Sequence, residues 1–516
     1  MTERMLRLAQ RMLVGREDVL ARRWQARLMD SARRERLVFE RSLTTSPGPG
    51  RVVIASYLGK GGDWTWLGMP GGRLVTLRAA VAGATNSGKS SWLLGVLAQV
   101  LLEDRYPVIL FDAKGETVDA VLDLLLPFLL ESGLDRGALD RLRVVRVFGP
   151  DIPLLNLTRP EPGVPKEAQA YAVASAIEQV LAEPLGGRMH HVLVRFVALL
   201  IELGLPLTTI QPWLEDPAAF GRAASRSSDV SMREYARAGF RQENKESLRA
   251  LASRLNALLF WPDARLALCA PGTVSFAEAL TQPGLTVIHT GSPPAGAERL
   301  ARFFSAVLVG QVVRALLSRK VEEQTPPALF VAEEIQEALG AEEARQLGRL
   351  LATARFKRAA VWLTNQSRSQ LHAVDPGLVS AIRTNVELLL QFRCSPEDAT
   401  AFAHLLPKER EGEAARRELV ESLTRLPQRH CYLAVRDLGL KAQPVVAPRI
   451  DFDALRESGH RVSPELRQRI QRGIVALSRE QLPGQQATPD TPASTQDPDD
   501  GQTELPPESD EFPGLG

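Results

Sequence analysis

The sequence predicts an α/β protein built on a doubly wound parallel sheet, and three observations predict it. Apolar runs of strand length alternate with helical patterns over most of the 516 residues, as βαβ units require. One strand-to-helix junction is the Gly-rich segment GATNSGKS, residues 83–90. Another apolar run, PALFVAEE, ends in the acids Glu333 and Glu334, and open α/β sheets collect ligands at such strand tips.

Residues 1–42 read as helix: eleven Arg face six acids, and Met5, Leu8, Met12, Val19 and Trp24 recur at helical intervals. Such an arm is either a solvated helical hairpin or a docking element. The stretch 44–50 (TTSPGPG) has linker composition. Between 51 and 82 the short runs RVVIASYL, RLVTL and AAVA read as strands, with GKGG and PGG as turns. Further strands are expected at PVILFD (107–112), LTVIHTG (285–291), PALFVA (327–332), RAAVWLTNQ (358–366), VELLLQFR (386–393) and HCYLAV (430–435). The helical patterns from 166 to 265 are too extensive for one crossover and read as an inserted all-α subdomain. The organisation is thus a helical N-terminal arm and linker (1–50), a sheet domain in two parts (51–165 and 266–450), the insert (166–265), a C-terminal helical segment (451–482), and a Pro/Asp/Thr/Gln-rich tail (483–516) predicted to be disordered.

Composition narrows the function. Apolar residues make up 44% and charged residues 24%, as in globular proteins. No apolar run reaches about 18 uninterrupted residues, so no membrane span is expected, and the N-terminus lacks the apolar core of a secretory signal. Cys269, Cys394 and Cys431 are far apart, which excludes a disulfide framework or a Cys/His metal motif and fits a cytoplasmic setting. The net charge of +2 conceals an asymmetry. Eight of the 61 acids lie in 483–516, where there is no Lys or Arg. A basic body with an acidic tail is compatible with a polyanionic partner.

Gly83, Gly88, Lys89 and Ser90 fit the spacing G-x-x-x-x-G-K-[ST]. Glycines let the chain wrap so that successive N–H groups face a phosphate, and the following helix adds its N-terminal dipole. Gly83, Ala84, Thr85, Asn86, Ser87, Gly88, Lys89, Ser90 and Ser91 are therefore the candidate triphosphate-binding stretch, for ATP. Lys89 reaches the β- and γ-phosphates, and the Ser90 hydroxyl is a candidate Mg²⁺ ligand. The expected carboxylates are Glu333 on the Mg²⁺ side, where Asp is usual, and Glu334 as general base. Asn365 and Gln366 end the strand 358–366, where an amide can bond both water and γ-phosphate. Asp112, Lys114 and Glu116 of FDAKGE either line the same crevice or are surface charges. His190, His191 and His289 read as structural. No G-x-S-x-G, H-E-x-x-H or L-S-G-G-Q motif is present.

The succession GATNSGKS, FDAKGE, a long helical insert, ALFVAEEIQEAL, TARFKRAAVWLTNQSRSQL and AIRTNVELLLQFRCSPEDA resembles the TraG/TraD-type conjugative coupling proteins, P-loop (RecA-like) ATPases of the HerA/FtsK superfamily. The likeness spans roughly residues 55–440. It implies a homo-hexameric, ATP-hydrolysing ring that translocates or couples DNA. It further implies partners in a relaxosome or membrane complex. Glu333 and Glu334 then occupy the family's Asp-Glu pair, and Gln366 its strand-end Gln. Arg355 matches an arginine that reaches a neighbouring subunit's γ-phosphate; Arg349 and Arg358 are rivals. Asn385 falls at a family Asn. The chain departs from the family in having no predicted transmembrane helices, Arg78-Ala79-Ala80 in place of a His before the loop, and Glu-Glu in place of Asp-Glu. These departures suggest a cytoplasmic variant, docked peripherally at the inner membrane through a partner. The alternatives are a HerA/FtsK-like translocase in repair or defence, and an ATP-binding scaffold without translocation.

Overall fold

A computed structural model describes residues 42–448 except 46–49, 59–63, 149–154, 181–184, 270–273 and 405–412. Residues 1–41 of the expected N-terminal arm, the expected helical segment 451–482 and the acidic tail lie outside the described residues. The centre is an 11-stranded sheet. Its strands are β1 (Arg51–Leu58), β2 (Trp64–Pro70), β3 (Ala79–Ala82), β4 (Pro107–Asp112), β5 (Arg143–Arg146), β6 (Gly284–His289), β7 (Ala328–Glu333), β8 (Ala359–Asn365), β9 (Leu388–Phe392), β10 (His430–Val435) and β11 (Leu440–Val446). Across the sheet they run β2-β1-β11-β10-β9-β3-β8-β7-β4-β6-β5. From β9 to β5 all neighbours are parallel. The remaining four strands extend the β9 edge antiparallel.

The central strands read as unbroken apolar runs because both faces are covered. Along β4, Val108 and Leu110 enter one core and Ile109 and Phe111 the other. Leu329 and Val331 against Phe330 and Ala332 in β7, and Trp362 against Val361 and Leu363 in β8, alternate alike. Helix α1 (Lys89–Leu102) covers one face. Its Trp92 tilts onto Trp362 with centroids 5.7 Å apart, and each indole N–H donates to a backbone carbonyl, of Ile54 and Leu77 respectively.

The opposite face carries α2 (Lys166–Val180), α3 (Gly187–Leu203), α4 (Lys245–Leu259), α5 (Glu298–Ser318) and α6 (Ala341–Thr353). Helix α4 starts at Asn244, whose side chain accepts the Glu246 N–H, and buries Leu248, Leu251, Leu255 and Leu258, one stripe at helical spacing. The helical stretch runs past the expected end at 265, through Pro262–Cys269 and Phe276–Ala279, to β6. Its aromatic cluster (Phe196 against Phe220 at 4.8 Å and Trp213 at 5.7 Å) is continuous with the sheet's own core. By length and composition α5 alone among the described helices matches a membrane span, yet 78% of that stretch is buried inside the protein. It is the hydrophobic spine of this face.

Four elements differ from expectation. RLVTL (73–77) is not a strand: Gly71–Leu74 is a helical turn, because Pro70-Gly71-Gly72 stops β2 and lets Leu74, Val75 and Leu77 bury separately. β2 has little β-branched sequence and is held by its hairpin with β1. β5 is four residues with Arg at both ends. β11 contains Pro444, which argues against an internal strand. It fits because the β1–β11 register is a single pair, Ser56 with Val446, away from the proline.

Candidate functional site

The loop after β3 takes its shape from two glycines. Gly83 has φ 158° and Gly88 φ 110°. A Cβ on Gly83 would lie 2.6 Å from Phe392 Cβ, and one on Gly88 2.9 Å from Arg429 Cα. Neighbouring strands close on it: Asn365 O accepts the Gly83 N–H (3.3 Å), Arg393 O the Ala84 N–H (2.7 Å), and Ser87 O the Arg429 N–H (2.8 Å). Lys89, 6% exposed, folds into this ring and donates to Gly83 O (2.7 Å) and Ala84 O (3.1 Å). Burial lowers its pKa; Glu334 and Glu333 oppose that shift, and Lys114 adds to it.

The acids lie beside this lysine. β8 separates β3 from β7, so their tips are about 10 Å apart at ordinary strand spacing. The first turn of α1 crosses that gap, and Ser90 Oγ donates to Glu333 Oε1 at 2.6 Å. Glu333 is buried, and its Oε2 has no hydrogen-bond partner among the described residues. Burial and then the Asp112 charge push its carboxyl up to about 7, against the pull of the Ser90 hydrogen bond. Glu334 takes a left-handed backbone (φ 50°, ψ 44°), rare for a side chain of this kind and costly by about 1–3 kcal/mol. Its N–H donates to Thr364 Oγ1 (3.2 Å), its Oε2 accepts from Gln336 Nε2 (2.6 Å), and Lys114 Nζ stands 3.9 Å from Oε1.

The other sequence candidates divide. Asp112, at the tip of β4 and in register with Glu333, accepts the N–H groups of Lys114, Thr117 and Val118; it caps the next helix and adds charge to the site. Glu116 is exposed. Asn365 is buried as the last residue of β8, with Nδ2 unpartnered among the described residues, and Gln366 is half-buried just beyond it, between the β3 and β7 tips. Arg355 is exposed and precedes β8, so the seven residues of that strand, about 20 Å, separate it from Lys89 of its own chain. Arg358 donates to Glu323 O, and Arg349 is exposed. Asn385 ends the helix Pro376–Asn385 and bonds back to Ala381 O. The imidazole of His190 contacts Glu178 Oε2 at 2.9 Å. His289 packs on Gly115. Sequence reading missed Arg429, which covers the loop from the start of β10; no motif marks it.

A glycine-shaped loop between a central strand and a helix, with strand-tip carboxylates beside its lysine and serine, defines the P-loop class of α/β proteins. No family model matches the chain, and no curated protein matches it in sequence. Among solved structures, the unbound monoclinic form of the bacterial conjugative coupling protein TrwBdeltaN70 aligns at TM-score 0.52 and 16% identity, over 80% of this chain and 91% of that one. The trigonal form in complex with sulphate gives 0.51 at 16%, over 80% and 92%. TrwB in complex with ADP and Mg²⁺ gives 0.48 at 17%, over 74% and 87%. The chain has the coupling-protein fold that its motifs resemble.

Proposed function

We propose that this protein is an ATP-hydrolysing ring motor, a homo-hexamer that translocates or couples DNA as conjugative and type IV secretion coupling proteins do. The observation that carries the reading is the Ser90–Glu333 hydrogen bond of 2.6 Å beside Lys89, with Glu334 next along the chain. Backbone N–H groups of 83–90 hold the β- and γ-phosphates, and Lys89 turns from its loop carbonyls to them. Ser90 and the unpartnered Glu333 Oε2 fit Mg²⁺, which neutralises phosphate charge when bound. TrwB itself has been solved with ADP and Mg²⁺. Glu334 takes a proton from water as its oxygen bonds to the γ-phosphorus and the bond to the ADP oxygen breaks. Gln366 orients that water. Arg355, out of reach of its own site, serves the neighbouring subunit's γ-phosphate. DNA is gripped by its phosphates, so binding falls with salt. The motor works in the cytoplasm, peripheral to the inner membrane through a partner.

A second reading is a nucleotide-binding scaffold without translocation. It draws on the Glu333-Glu334 pair, where the coupling-protein pattern has Asp-Glu: the extra methylene of Glu333 shifts the carboxylate from the usual ligand position. ATP hydrolysis by the purified protein, with and without single- and double-stranded DNA and alongside its mass in solution, separates the two. A motor is stimulated by DNA as a ring. Negligible turnover under every condition supports the scaffold.

A further inference from the structure

The turn after β4 is tied down from three sides. The Asp112 carboxylate accepts the Lys114 N–H at 2.9 Å and the Thr117 N–H at 2.8 Å. Gly115, at φ 91°, lies against the His289 ring, where a Cβ would overlap Nε2. Gly291 lies against the Lys114 carbonyl, and a Cβ there would overlap it too. With its backbone fixed, Lys114 extends an ammonium to 3.9 Å from Glu334 Oε1, while its side chain stays 43% exposed. At 3.9 Å the contact is a Coulomb attraction and not a hydrogen bond. Its Lys114 end is open to water, whereas Glu334 is 8% exposed and keeps the hydrogen bond from Gln336 when the lysine leaves. Lys114 and Lys89 are each within electrostatic range of Glu334 and of one another.

We infer that Lys114 is a triphosphate-sensing residue: it restrains Glu334 in the arrangement seen and passes to the terminal phosphate of a bound nucleoside triphosphate, freeing Glu334 Oε1 to accept a proton from water. This rests on the ATPase reading above and deepens it. The loop 83–90 supplies its amides from the β3 tip, whereas Lys114 comes from β4, beyond β8 and β7. It therefore approaches a phosphate chain only from the Glu334 side, where the outermost phosphate must stand for Glu334 to activate water. A diphosphate leaves Lys114 on Glu334. A fixed turn carrying one mobile cation thus ties the base's release to the presence of the third phosphate.

Calorimetric titration of the purified full-length protein with β,γ-imido-ATP and with ADP tests this. The wild type is expected to prefer the triphosphate. Lys114→Met is expected to lose about tenfold in triphosphate affinity, the worth of one charge-assisted contact, with ADP affinity unchanged. Lys114→Arg is expected to restore most of the preference. If Lys114→Met keeps the wild-type ratio of the two affinities, or weakens both nucleotides equally, Lys114 is not a sensor, although the ATPase reading survives. If the wild type binds neither nucleotide, the ATPase reading fails and this inference fails with it.

Discussion

Ser90 and Glu333 are 243 positions apart in the chain and 2.6 Å apart in space. The hydroxyl comes from the first turn of α1 and the carboxylate from the tip of β7. Folding thus joins a loop serine to an acid that no sequence window contains, and it leaves the second acid oxygen buried and unpartnered among the described residues. Glu333→Gln keeps the shape and removes the charge. Its ATP affinity should become the same in Mg²⁺ and in EDTA, whereas wild-type affinity should fall on chelation. Calorimetry in the two buffers checks this.

Lys89 and Glu334 should fail in different ways. Lys89→Ala removes the cation proposed to reach the phosphates, and nucleotide affinity should fall by about 100-fold, as for loss of hydrogen bonds to a charged group. Glu334→Gln should keep ATP bound and lower turnover by about 10²–10⁴-fold, the usual worth of a general base. Single-turnover kinetics with retained ATP measured on a filter separates the two outcomes. Full turnover in Lys89→Ala would remove the loop from the reaction.

Gly88 and Arg429 meet where a side chain cannot fit. Gly88→Ala would put a methyl group 2.9 Å from Arg429 Cα at a backbone φ of 110°, costing about 1–3 kcal/mol. It should lower the melting temperature and weaken ATP binding together. Gly133→Ala, also at positive φ (115°) but with open space around it, should lower only the melting temperature.

Arg355 is exposed just before the start of β8, away from its own Lys89, and the trans role proposed for it is open to a complementation test. Arg355→Ala should bind ATP normally and hydrolyse it slowly. Mixed with Lys89→Ala protein, which keeps the arginine, it should regain activity if the proposed ring forms, because mixed rings would contain competent interfaces. Absence of any recovery in a mixture shown to co-assemble would rule out the trans role.

Glu202 in α3 gives a pH signature. Burial works against its charge, but Lys166 and the Ser228 and Ser227 groups overcome it and hold the carboxyl down at about 2. A depressed folded-state value stabilises the protein above the unfolded value near 4.5, and the gain is lost as pH falls toward 2. Melting temperature should therefore drop between about pH 4.5 and 2. Glu202→Gln should melt lower than wild type at pH 7, and the gap should close in acid.

Much of this protein is readable from local pattern. The phosphate-loop glycines, the apolar strands and the acid-tipped β7 are legible because each depends on neighbours within a few residues: a turn needing positive φ, or a strand whose two faces are both covered. The coupling-protein likeness is legible in the same way, as a succession of such local motifs. What sequence could not show are relations set by strand order. Only the tertiary structure decides that β8 lies between β3 and β7, that Arg429 closes on Gly88, that Lys114 faces Glu334, and that Arg355 stands at the opposite edge from its own Lys89. It also decides that Pro444 can sit in an interior strand and that the helical insert shares the sheet's core. The physical reason is that parallel strands are joined by long crossovers, so residues meeting at one sheet edge come from distant segments. Their meeting is selected by burial of both sheet faces and not by any local signal.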